Sequence, residues 1–494
     1  MASVNPPRIF FTVLVEKCRK TAFTLQTFEA FEYPSDGPRI LRQCLYESVN
    51  DLISRVEGFR NKSQSPDIPA YQLQEIELES SYISEYIDNY ITELFIPMLR
   101  DASIDKIPAE LVSPLEEISL SLFPGCMLLI QAIPNLNYRF MDIAPKVLSL
   151  FQNLDLEELL SKNNFPNKLF VLQLPIDSAF GILPHCILGH ELGHALWIQE
   201  GIDRILLPLI NIEQKDLTKI VDSTLKALDK TDDLPHSSDI QIPLEQSRGF
   251  LQMALKARLI TYCTRWIKEL FCDIIGAGLF GPSFICAMGA FLLTFEDIDS
   301  PSEYPPGRLR LKITLRSILR SDPGFGYRKL NSMDFNQILS PMLRQWQQLL
   351  VAKSPQFDDP VFKLVMQTVV KETVIKEMIG KAKNTIENNR LKPGDFSKQV
   401  PYLARRINSM LPPNEYATEA NNGFHPANVQ SIFNAAWLCY MQELDQLSKK
   451  LPMSNEWEVR KIFYGLISLG VELNDIKGTW PQKRRAIDEC LKRP

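Results

Sequence analysis

The segment Gly189-His190-Glu191-Leu192-Gly193-His194-Ala195-Leu196-Trp197 restricts this chain more than any other. It holds two of the 5 histidines of a 494-residue sequence inside an apolar run. Residues four apart share one face of an α-helix, so a helix here lets both imidazoles meet one ion. Leu183, Ile187, Leu188, Leu192, Ala195 and Leu196 add apolar faces, and Pro184 suits a first turn, where its missing N–H costs nothing. A helix apolar on most of its circumference is a buried one. Two imidazoles buried there need partners, and a metal ion satisfies both. Glu191 is placed to take a proton from a water on that ion. Two histidines, a carboxylate base and a third ligand from elsewhere form the donor pattern of a zinc hydrolase.

The third ligand has to come from another element. Periodicity predicts a long helix over 244–280, and within it runs Trp266-Ile267-Lys268-Glu269-Leu270-Phe271-Cys272-Asp273-Ile274-Ile275-Gly276-Ala277. Glu269 and Asp273 are four apart, on one face, among apolar neighbours. Zinc can take Glu269 directly, and Asp273 can accept the outer N–H of a ligand histidine. The alternative use of the two acids is an ion pair to Lys268, Arg265 or Arg258 of the same helix. Two other residues compete as ligand. Glu200 stands where the metzincin layout has its last histidine, but that layout turns at a glycine where this chain has Trp197. His185 lies about 140° round the helix from His190 and faces away.

These motifs resemble the gluzincin metallopeptidases. His190-Glu191-Leu192-Gly193-His194 followed by Glu269-x-x-x-Asp273-x-x-Gly276-Ala277 is most similar to the HtpX and CAAX-prenyl endopeptidase branch. That branch also has a His-Pro-x-x-x-x-Arg-Ile element, against Tyr304-Pro305-Pro306-Gly307-Arg308-Leu309-Arg310-Leu311 here, with Tyr304 at the histidine and Arg310 at the arginine. The resemblance covers about 185–315. It implies zinc held by His190, His194 and Glu269, Glu191 as general base, and Asp273 behind the ligands. Arg310 and Tyr304 become the candidate partners for a developing oxyanion.

Members of that branch are usually embedded in membranes. The uncharged run 274–295 has the length of a span, but Gly281-Pro282 breaks it, and two short buried helices are the expected structure. A net charge of -5 argues against nucleic-acid binding. The 9 cysteines include no Cys-x-x-Cys pair and point to reduced thiols in the cytoplasm.

Elsewhere the β-branched and aromatic stretch 8–16 is predicted to be a strand. Helical spacing covers about 39–60, 71–99, two stretches within 108–153, then 217–228, 307–321, 334–353, 359–390, 426–449 and 455–474. The run 168–175 is extended, either an edge strand that aligns substrate or a buried linker strand. The polar loop 229–239, with His236, is a solvated insertion or a flap. The fold expected is mainly α, a large multi-helix protein with a zincin-like metallopeptidase core and at most a small β-sheet. Its expected divisions are a mostly helical region 1–165, the core 166–325 with an insertion at 203–243, and a helical domain 326–494 for partner or homo-oligomer contacts. The function expected is zinc-dependent hydrolysis of a peptide or protein substrate. The alternative is a helical scaffold or regulatory protein with a structural or autoinhibited zinc site.

Overall fold

The computed structural model describes residues 6–65, 67–134, 138–175, 181–228, 244–292, 303–319, 357–389, 396–417, 423–442 and 456–491. The loop 229–239 with His236 and the helix expected at 334–353 lie outside them. The protein is mainly α, with two small sheets. It divides into two compact units, Met1–Ile182 and Leu183–Pro494.

In the first unit, α1 (Pro6–Thr27) replaces the strand expected at 8–16. Its buried apolar residues are Phe11, Leu14, Val15, Cys18, Ala22 and Leu25, a spacing of three and four that only a helix brings to one face. Strand propensity at Ile9, Phe10 and Val13 yields to that longer period. α1 packs on α2 (Asp36–Lys62), which buries Leu41, Leu45, Val49, Leu52 and Val56. The helix expected at 71–99 is continuous from α3 (Ala70–Glu85) through a π-helical segment, Tyr86–Phe95, into α4 (Ile96–Arg100).

Beyond α5 (Val112–Leu122) the chain forms two strands that periodicity did not separate from helix, β1 (Cys126–Ile133) and β2 (Arg139–Asp142). After α6 (Ala144–Gln152) and α7 (Glu157–Lys162) comes β3 (Lys168–Pro175). The sheet order is β1-β3-β2, with β1 parallel and β2 antiparallel to β3. Residues Phe170 to Gln173 are therefore paired on both sides. β3 offers no free edge along that stretch, which corrects the substrate-aligning reading of 168–175 and leaves a buried central strand.

The second unit is built around α11 (Leu244–Phe280), which is largely exposed over residues 248–262 and buried at every residue from Glu269 onward. The helices that precede it are α8 (Leu188–Gln199), α9 (Ile202–Leu206) and α10 (Gln214–Leu228). Those that follow are α12 (Pro282–Leu292), α13 (Gly307–Leu319), α14 (Pro360–Val369) and α15 (Glu372–Asn388). α16 (Phe396–Asn408), the hairpin β4 (Glu415–Ala417) and β5 (Phe424–Pro426), α17 (Val429–Gln442) and α18 (Glu456–Leu491) complete it. α8, α10, α12, α13, α14 and α15 all pack on α11.

The uncharged run that begins at Ile274 is the end of α11 and then α12. Gly281 (φ 66°) takes the left-handed conformation that ends α11, its N–H donating to the Ala277 carbonyl, and Pro282 opens α12. Asn434 of α17, 0% exposed, serves that break. Its Oδ1 accepts from the Ser283 N–H at 3.0 Å and its Nδ2 donates to the Phe280 carbonyl at 2.9 Å. Among the described residues no helix is long and apolar enough to cross a membrane. Asn434→Ala leaves the buried Ser283 N–H without that acceptor and should destabilise the protein by about 1–3 kcal/mol in denaturant titration. A surface asparagine changed to alanine should shift the midpoint far less.

Candidate metal centre

α8 and α11 cross with their backbones in contact. A methyl group on Gly193 would come 2.7 Å from Cys272 Cα, and one on Gly189 would come 2.9 Å from Gly276 Cα. Only glycine permits that approach. Each of these glycines directly precedes one histidine, so the contact sets the depth at which both imidazoles meet α11. The helix continues through Trp197, whose ring packs 5.7 Å from Phe271, and no metzincin-type turn forms.

Glu269 lies opposite both rings. Its Oε2 is 3.3 Å from His190 Nε2 and its Oε1 is 3.7 Å from His194 Nε2. A tetrahedral zinc with bonds of about 2.0–2.2 Å to nitrogen and oxygen holds its donors about 3.3–3.5 Å apart. Glu269 stands near that spacing from each imidazole, through a different oxygen to each, and all three residue types suit zinc. Glu191 is 8% exposed, and its carboxylate and the ligand atoms of His190 and His194 lie within 4.8 Å of one another.

Asp273, 0% exposed, sits behind His190. Its Oδ1 is 2.7 Å from His190 Nδ1. The carboxylate can only accept, so Nδ1 carries the proton and Nε2 is directed at Glu269. Arg310 of α13 grips the same carboxylate from the other side, Nε to Oδ2 at 2.9 Å and Nη2 to Oδ1 at 2.8 Å. This bidentate pair is buried, with the Arg310 side chain 11% exposed. Arg310 Nη2 also lies 3.7 Å from Glu269 Oε2. Two of the cations on α11 are engaged elsewhere: Arg265 pairs with Glu303, and Arg258 donates to the Tyr262 hydroxyl at 3.2 Å, whereas the charge of Lys268 is felt at Glu191 and His194. Tyr304 precedes α13 and is 59% exposed. Glu200 is exposed at the end of α8, and His185 is buried in the turn before it.

Behind His194 stands a residue the sequence did not single out, Cys272, with Sγ 3.3 Å from His194 Nδ1. Its signal was its place in the turn of α11 between Glu269 and Asp273. The glycines of α8 went unread as well, although their four-residue spacing marks a close helix crossing.

Electrostatics divide the two histidines. Burial alone would lower His190, but hydrogen bonds to Asp273 and Glu269 and their charges outweigh it and lift His190 to about 10. Burial, followed by the His190 charge, holds His194 down at about 3. Burial favours neutral Glu269, yet the hydrogen bond from His190 and the charges of His190 and Arg310 overcome it and keep that carboxyl at about 2. Burial pushes Glu191 up, with the His190 charge opposing. Burial and the two nearby acids push the Cys272 thiol well up, so it stays protonated.

Two outcomes follow from this geometry. Without metal, His190 is an imidazolium at pH 7, because its pKa of about 10 lies above that pH. Zinc requires the neutral ring, so binding at pH 7 should release about one proton from His190, and apparent affinity should fall roughly tenfold per pH unit on acidification. Calorimetry in buffers of different ionisation enthalpy measures that proton. Gly193→Ala forces α8 away from the Cys272 backbone; it should lower stability by about 1–3 kcal/mol and weaken zinc binding along with it. No protein-family model, curated protein or solved structure matches the chain.

Proposed function

We propose that this protein is a zinc-dependent metallopeptidase acting in the cytoplasm on a peptide or protein substrate. The observation that carries the reading is Glu269, whose two oxygens face the Nε2 atoms of both histidines at 3.3 and 3.7 Å. The resemblance to the gluzincins assigns the same three ligands. The eight described cysteines, all free and buried, suit a reducing compartment.

A zinc ion held by His190, His194 and Glu269 supplies Lewis acidity toward a peptide carbonyl and a water with its pKa brought near neutrality. Glu191 accepts the proton of the attacking water and delivers it to the departing amine, so one proton passes from nucleophile to leaving group. Burial raises Glu191 above an ordinary carboxyl and so strengthens it as the base toward the attacking water. Asp273 fixes the proton of His190 on Nδ1, and Arg310 holds Asp273 in place. Arg310, 3.7 Å from Glu269, also brings positive charge beside the reacting centre, and Tyr304 is the second candidate for the oxyanion.

One observation favours a second reading. Glu191 is close enough to both histidines to act as a fourth protein ligand. That would close the site and make the zinc structural in a scaffold or regulatory protein. Glu191→Gln separates the two. As general base, its loss should leave zinc content near one per chain and reduce cleavage of a degenerate peptide library by about 10²-fold or more. As a ligand, its loss should lower zinc content itself. Freshly purified wild-type protein with no zinc would reject both.

A further inference from the structure

The two candidate ligand histidines have different supports. His190 donates its outer N–H to a carboxylate that an arginine holds from behind. His194 has a thiol there. We infer that Cys272 is the positioning residue for His194: its sulfur accepts the Nδ1–H and so keeps Nε2 bare on the side that faces Glu269. The inference rests on the zinc reading above.

The geometry leaves this hydrogen-bond direction as the one compatible with an ion. His194 Nε2 points at Glu269 Oε1, 3.7 Å away, and Nδ1 points at Cys272 Sγ, 3.3 Å away. A neutral imidazole carries one proton. If the thiol donated to Nδ1, the ring proton would sit on Nε2 and block the donor position. With the sulfur accepting, Nε2 keeps its lone pair. Cys272 is 0% exposed, so water does not compete for that contact. The sulfur is also held in place by the helix crossing, because the Cys272 Cα lies against Gly193, the residue next to His194. One turn of α11 thereby carries a ligand, Glu269, and the outer partners of both histidines, Cys272 and Asp273.

The consequence is an unequal pair. A carboxylate acceptor raises the basicity of its imidazole, whereas sulfur is a weak acceptor and does so far less. His190 is the anchored ligand and His194 the exchangeable one. Removing the sulfur should therefore act on metal affinity through His194 while the anchor on His190 stays intact.

The test is the equilibrium zinc affinity of the full-length chain, measured against a chromophoric chelator, for the wild type, Cys272→Ala and Cys272→Ser. Cys272→Ala should bind zinc about 10–100-fold more weakly, the usual cost of losing an outer partner. Cys272→Ser keeps an acceptor and should recover most of that affinity, while the metal-free forms melt together. Cys272→Ala binding as tightly as the wild type overturns the inference; so does an equal loss in both variants, which would mark a packing effect. If the alanine variant does not fold, the imidazole ¹⁵N spectrum of the zinc-loaded wild type decides. A protonated Nδ1 on His194 supports the assignment, and an unprotonated one overturns it. Wild-type protein that takes up no zinc overturns the metallopeptidase reading first and this inference with it.

Discussion

The close crossing of α8 and α11 is the constraint on which the site depends. Side chains on the two helices can share one ion only if the backbones nearly touch, because histidine and glutamate are short relative to the usual 8–10 Å between packed helices. Gly189 and Gly193 remove the side chains that would hold α11 off, and Gly276 keeps the partner surface flat. Gly276 is pinned from its other side too, where a methyl group would strike the Phe284 ring of α12 at 2.3 Å. The acids of α11 are buried at this crossing, where each needs a specific partner.

Those partners form a closed chain, from Arg310 to Asp273, Asp273 to His190, His190 to Glu269 and back to Arg310. In the metal-free state the positive charges of Arg310 and His190 offset the carboxylates of Asp273 and Glu269, and burial favours the neutral form of Glu191. Asp273 is doubly bound in that balance, by the His190 ring and by the Arg310 guanidinium. A buried carboxylate needs charged or hydrogen-bonding partners, and at Asp273, 0% exposed, the Arg310 fork supplies two such bonds.

How much of this was legible depended on the length scale of the signal. His190, His194, Glu269 and Asp273 were visible because each pair recurs at one helical turn, and one helix face is a local property. The gap between the pairs carried no such signal. The role of Arg310 was half visible. Its approach to the site could be anticipated, but the arginine that binds Asp273 lies on α13, and no spacing on α11 could exclude Arg265 or Arg258. Cys272 stayed hidden because a cysteine in an apolar helix is ordinarily core. At the N-terminus, Ile9, Phe10, Phe11 and Val13 look like a strand in a short window, whereas Phe11, Leu14, Cys18, Ala22 and Leu25 show a helix over a longer one. The extended run 168–175 was legible and is β3, whereas β1 is apolar without alternation, as a strand covered on both faces is, and such a run cannot be told from buried helix by period alone.

The far C-terminal part of the chain belongs to the same physical account. Trp437 of α17 donates its indole N–H to the Leu183 carbonyl at 3.2 Å, in the turn that leads into α8. Three residues earlier on the same helix, Asn434 binds the backbone where α11 ends. One helix thus holds the entry to the histidine helix and the exit from the acid helix, at the ends remote from Glu269. The glycine crossing fixes how near α8 and α11 lie, and α17 limits how far either can slide along the other. Depth and register are independent degrees of freedom for two packed helices, and a site that requires donors about 3.4 Å apart has to set both.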